Sequence, residues 1–209
     1  IGRLFSTAAY AQRIALADRA TAERALEQIR AAHAAVERQR GASIPDWAHR
    51  DVLYLLVDYS ERAFHAFHRP LTAAEQRELW EVFRQVGTGL LIPGLPETYA
   101  GWRADRTRHL ERDLAFSQYT AALYTAYRQH LGGWRYRLLL QLQAALVPDR
   151  VRQLLDLPRH TVLRQLLPLY PRLAGLGLRS TMQRVLIPAE HLPAVQRLDH
   201  PAAHQEQEA

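Results

Sequence analysis

The stretch EQIRAAHAAVERQR, residues 27–40, decides the fold class. With Leu26 just ahead of it, Ile29, His33 and Val36 recur at steps of three, four and three, while Glu27, Arg30, Glu37 and Arg38 fall largely elsewhere around the wheel. That spacing is the period of an amphipathic helix, and it sets one imidazole inside the apolar stripe. His33 then has two readings. A core histidine donates to a backbone carbonyl; an iron or haem ligand is a neutral imidazole aimed by a rigid helix. Ala31, Ala32, Ala34 and Ala35 would let a flat macrocycle approach, but alanine is also the best helix former.

The same period runs outward in both directions. Helices are expected over 3–16, from an N-cap at Thr21 to Arg40, and from a cap at Asp46 to about 67. On the last of these Trp47, Val52, Leu55, Leu56, Tyr59, Ala63 and Phe67 are expected to face the core. Arg69-Pro70 stops that helix, and the TAAE capping box at Thr72 and Glu75 starts the next, to about Val86. Beyond the connector GTGLLIPGLPETY, helices are expected over 96–110 and 113–130, then a turn at LGGW. WRYRLLLQLQAAL forms another, followed by short helices over 149–156, 159–174 and 180–187. Strand-like alternation is hard to find. The expected fold is all-α, a single irregular multi-helix domain with globin-like packing, not a simple four-helix bundle. It should span 1–187, N-terminally incomplete, with a loosely ordered tail over 188–209.

The chain has 209 residues, enough for one sizeable core, and 48% of them are hydrophobic. The net charge of +6 raises the question of nucleic acid, but every basic residue is arginine and the arginines alternate with acids instead of forming blocks. No nucleic-acid partner is expected. Without cysteine there are no disulfides, thiolate ligands or cysteine nucleophile. No transmembrane segment is expected: the most apolar run, VLYLLV at 52–57, is bounded by charges and reads as core helix. IGRLFSTAAY does not read as a signal peptide, so the expected compartment leans to the cytoplasm.

Chemistry can be sought in few places. In GRLFST, Arg3 and Thr7 share a helix face with Tyr10, where an arginine and a hydroxyl could hold a carboxylate or a bound oxygen species; an exposed arginine and a helix-start threonine would look the same. His49 follows Trp47 at a helix start, where a protonated ring gains nothing from the macrodipole, and Asp51 does not face it directly. Glu61, His65 and His68 could form a metal patch, but there is no HExxH, and a polar helix end explains them more simply. No phosphate loop and no GxSxG elbow is present.

Taken in order, GRLFSTAAY, IRAAHAAV, DWAHRDVLYLLVDYSERAF and RPLTAAEQRELWEVFRQVGTGLLIPGLPETYAGWRAD resemble the DUF2236 family over roughly residues 2–185. This is the family of the fungal endoplasmic-reticulum oxygenase MpaB and of bacterial rubber oxygenase. The resemblance implies a helical oxygenase domain holding haem b, with His33 as proximal iron ligand and Arg3 and Thr7 on the distal side. It implies dioxygen and an apolar, possibly alkene-containing or lipid-like substrate. Rubber oxygenase places a lysine before the threonine as a distal ligand; Ser6 stands there in this chain and would be a poor sixth ligand. The acidic residue of the rubber enzyme lies upstream of the matched stretch, so rubber itself is not the expected substrate. A cofactor-free helical binding or scaffold protein is the alternative, and a non-haem site pairing His33 with His49 or His65 is a further one.

Overall fold

The structure, a computed structural model, describes residues 18–159, 161–186, 189 and 192–193. Helix α1 spans Arg19–Arg40, α2 Asp46–Phe67, α3 Ala73–Gly89, α4 Tyr99–Arg112 and α5 Gln118–Leu146. They are followed by α6 (Asp149–Leu154), α7 (Leu163–Leu166), a 3-10 turn (Leu167–Leu169), α8 (Tyr170–Leu173), a π turn (Ala174–Leu178) and α9 (Arg179–Leu186). Among the described residues every element is helical, as expected. The expected helix over 3–16 and nearly all of the expected tail lie outside the described residues.

Local chemistry explains the boundaries, and it moves several of them. The N-cap of α1 is Asp18, not Thr21: the Asp18 carboxylate accepts from the Thr21 N–H at 2.8 Å. Gly41 closes α1 in the left-handed conformation, φ 63°, with its N–H on the Arg38 carbonyl. Pro45 precedes α2, so Asp46 occupies the first turn instead of the cap. The capping box at Thr72 and Glu75 is present in both directions. The α4 cap is Thr98, which puts the helix start three residues beyond Pro96. Pro168 and Pro171, which have no N–H to donate, lie where the expected 159–174 helix breaks into short turns.

LGGW does turn the chain. Gly132 has φ 70° and ψ 172° inside α5, a conformation open essentially to glycine alone. A straight helix would carry Tyr124 and Gln143 roughly 28 Å apart at 1.5 Å per residue. Instead the Tyr124 hydroxyl donates to Gln143 Oε1 at 2.9 Å, so the two arms of α5 fold back on one another.

Helix α2 is central, packed by α3, α4, α5 and the 3-10 turn. The main core is Tyr54, Val57, Trp80 and Trp102, ringed by Leu79, Phe83, Leu95 and Tyr99. Trp80 and Trp102 stack with ring centroids 5.9 Å apart. Gly87 lets α3 close on α2: a Cβ there would lie 2.6 Å from side-chain carbons of Leu53 and Leu95. A smaller cluster of Ala144, Val147 and Leu157 joins α5 to the chain after α6.

The face of α2 turned inward differs from the expected one. Trp47, Val52 and Leu55 are exposed at 46%, 60% and 40%, while Leu56, Tyr59, Ala63 and Phe67 are half-buried. The buried residues are Leu53, Tyr54, Val57, Asp58 and Glu61. Charges occupy the inner stripe because α3 and α4 bring their partners.

Candidate functional site

His33 lies midway along α1, half-buried. The stripe it belongs to is sealed at one end and open at the other, with Leu26 buried and Val36 40% exposed. Its ring meets His49 of α2, with centroids 5.0 Å apart and planes tilted by 50°. Partial burial holds the His33 imidazole below its ordinary protonation range, His49 lowers it further, and Glu37, one turn on, opposes both. A neutral imidazole keeps a lone pair for a metal. Among the described residues no hydrogen bond occupies either nitrogen of His33. Val36 and Val52 each follow a histidine by three residues, so both imidazoles share a helix face with an exposed valine. A neutral nitrogen donor flanked by alanines is the kind of group that could hold a haem iron or another metal. Arg3, Ser6 and Thr7 lie outside the described residues. A half-open cavity of ≈ 250 Å³ sits elsewhere, between Phe116, Tyr124, Tyr136, Leu140 and Leu157.

His65 does not join a metal patch. Its Nε2 accepts from the Leu71 N–H at 2.9 Å, which commits that lone pair and ties the end of α2 to the loop before α3. With Nε2 an acceptor, its 3.8 Å approach to Glu61 is no charged pair. Glu61 is not a solvated helix end either. It is buried and accepts from the Tyr99 hydroxyl at 2.8 Å and from Gln76 Nε2 at 3.1 Å. His68 packs its ring on Phe64. Among the described residues no three histidine or acidic side chains converge as a metal site.

The largest polar feature was not visible from sequence motifs. On α2, Asp51, Tyr54, Asp58 and Glu61 form one stripe, and α4 faces it with Trp102, Arg106 and His109. Arg106 is buried and donates through Nε to Asp58 Oδ2 at 3.1 Å and through Nη1 to Asp51 Oδ1 at 2.9 Å. Arg62 Nε donates to the other Asp58 oxygen at 2.6 Å. His109 is buried beside Arg106, its Nδ1 3.3 Å from Asp113 Oδ2 and 3.7 Å from Asp51 Oδ1. Neither approach is aligned as a hydrogen bond, so Nδ1 has no partner among the described residues. The Tyr54 hydroxyl donates to Asp105 Oδ2 at 2.7 Å, and burial plus that carboxylate push its ionisation far above the usual range. Burial would raise the Asp105 carboxyl, but the bonds from Tyr54 and Arg108 bring it below its ordinary value.

Apart from His109 Nδ1 and Trp102 Nε1, the polar groups here are paired with one another, which suits a structural clamp between α2 and α4 better than catalysis. The spacing 51, 54, 58, 61 was a partial signal: polar residues at steps of three, four and three mark a helix face, but not that it turns inward.

The chain matches neither a curated protein nor a solved structure. It does match the catalytic domain described as ER-bound oxygenase mpaB/B'/Rubber oxygenase, over residues 1–179, a span that contains Arg3, Ser6, Thr7, His33 and the whole α2–α4 clamp. Nearly the entire helical chain falls within that match, and the protein therefore belongs to the MpaB/rubber oxygenase family of catalytic domains.

Proposed function

We propose that this family member is a haem b-dependent oxygenase that uses dioxygen on an apolar, alkene-containing small molecule or lipid-like substrate. One observation supports the reading: His33, which the family resemblance implies as the proximal ligand, is a half-buried imidazole whose surroundings favour the neutral form. Bound haem supplies the dioxygen chemistry, oxidative C=C cleavage or a related oxygenation, that no side chain here can perform. His33 would hold the haem through one ring nitrogen. Arg3 would hold a carboxylate, such as a propionate, in a charge-assisted pair. Thr7 would supply a hydroxyl to the cofactor pocket, and Ser6 beside it would be too weak a donor to serve as an iron ligand. The α2–α4 clamp keeps the helix that carries His49 in place under α1.

The test is an absorption spectrum with haem extraction on full-length protein produced with ample iron and haem. The expected result is a Soret band that responds readily to added imidazole, and stable haem incorporation that H33A abolishes. Equal haem in wild type and H33A, with the same axial signature, removes His33 as ligand. Wild type without haem removes the oxygenase reading in favour of a scaffold role.

A further inference from the structure

The His33–His49 pair fits a second ligand. The centroid of an imidazole lies close to its Cβ–Cγ axis. Turning either ring about χ2 therefore swings its nitrogens while leaving the 5.0 Å centroid separation almost unchanged. A first-row ion held by two imidazoles at ~2.0–2.1 Å lies ~3.2 Å from each centroid, and tetrahedral coordination then sets the centroids ~5.2 Å apart. The observed spacing agrees with that value.

The surroundings agree as well. Glu37 contributes negative potential from one turn away, while its Oε1 accepts from the Ile44 N–H at 2.7 Å and so steadies the loop between α1 and α2. Two imidazoles without a converging carboxylate select zinc, nickel, cobalt or copper over calcium or magnesium.

We propose that, in the haem-free chain, His33 and His49 chelate a divalent first-row metal ion as an open two-donor site, with water in the remaining positions. The site shares His33 with the haem reading but does not depend on it. Metal and haem therefore compete for one nitrogen, and His49 is the residue that separates the two events.

Zinc chloride titrated calorimetrically into the full-length chain, purified without haem, tests this. Cobalt absorption reports the coordination geometry. One zinc per chain is expected, bound at least roughly tenfold more weakly in H33Q and H49Q, a loss on the scale that even outer-shell partners of a metal ligand produce. Replacement of the exposed His130 by glutamine should change nothing. Helical circular dichroism, with H49N as a second variant, separates loss of the site from loss of the fold. Zinc should slow haem uptake by wild type and not by H49Q. Equal zinc affinity in folded H49Q and wild type, or no stoichiometric zinc at all, overturns the proposal. Haem loading is scored separately, so a wild type that binds zinc and never haem defeats only the oxygenase reading.

Discussion

Replacing Arg106 by methionine tests the clamp between α2 and α4. Methionine keeps an unbranched, flexible stem, so the charge is lost with little loss of packing. Two bonds disappear, to Asp58 at 3.1 Å and to Asp51 at 2.9 Å. Removing one partner of a buried ion pair costs about 3–5 kcal/mol, because the other charge is stranded. Here Asp58 keeps Arg62, and the Asp51 side chain is 18% exposed and recovers some hydration. The expected loss is therefore at the lower end, about 3 kcal/mol. With a urea slope of about 2 kcal/mol per molar, the midpoint falls by about 1.5 M, read from helical circular dichroism. D58N and the double variant complete a cycle in which the pair should couple by at least about 1 kcal/mol. A midpoint shift worth less than about 1 kcal/mol, or strict additivity, would refute the clamp as a stabilising unit.

Three further outcomes follow from the geometry. Gly132→Ala should destabilise by about 1–3 kcal/mol through backbone strain alone, since an added Cβ meets nothing within 4 Å; Gly133→Ala next to it, equally open, should be neutral or stabilising by urea unfolding. The Glu75 carboxyl is held at about 2, below its ordinary 4.5, by Arg69 and Thr72, so the cap's contribution is whole above about 4.5 and fades as pH falls toward about 2. In R69A its carbon-13 NMR midpoint should rise toward 4.5, and an unmoved midpoint would remove the pairing. Tyr54→Phe deletes the bond to Asp105 and should cost about 1–2 kcal/mol; in wild type, alkaline ultraviolet titration should show Tyr54 ionising only as the protein unfolds.

The helical class was legible because it rests on local signals. Capping at Thr72–Glu75, the glycine after Arg40 and the turn at LGGW each act within a few residues. The inner face of α2 was not legible by the same means. An apolar stripe through Trp47, Val52 and Leu55 was the natural choice, and those residues are exposed. The helix instead buries Asp58 and Glu61, which is tolerable only because Arg106, Gln76 and Tyr99 arrive from elements 15–48 positions further along. Periodicity on one helix cannot reveal a partner on another.

The site divides in the same way. His33 stood out because an imidazole in an apolar stripe is locally anomalous. Its neighbour could not be chosen between His49 and His65, since that choice depends on how α1 lies on α2. His65 is excluded by its bond from the Leu71 N–H, a contact whose partner no sequence pattern marks. Arg3, Ser6 and Thr7 stand on the family resemblance and lie outside the described residues.

The turn at Gly132 also orders the events of folding. Tyr124 and Gln143 are 19 positions apart, whereas Arg106 reaches back 48 to Asp58 and 55 to Asp51. Closing the longer loops costs roughly 0.8 kcal/mol more in chain entropy. It also requires three charged side chains to shed water before they gain their partners. The α5 hairpin is thus cheaper to nucleate than the α2–α4 clamp, and the buried arginine docks later than the hairpin closes. Substitutions at the hairpin should slow refolding, while loss of Arg106 should speed unfolding and leave the folding rate nearly unchanged.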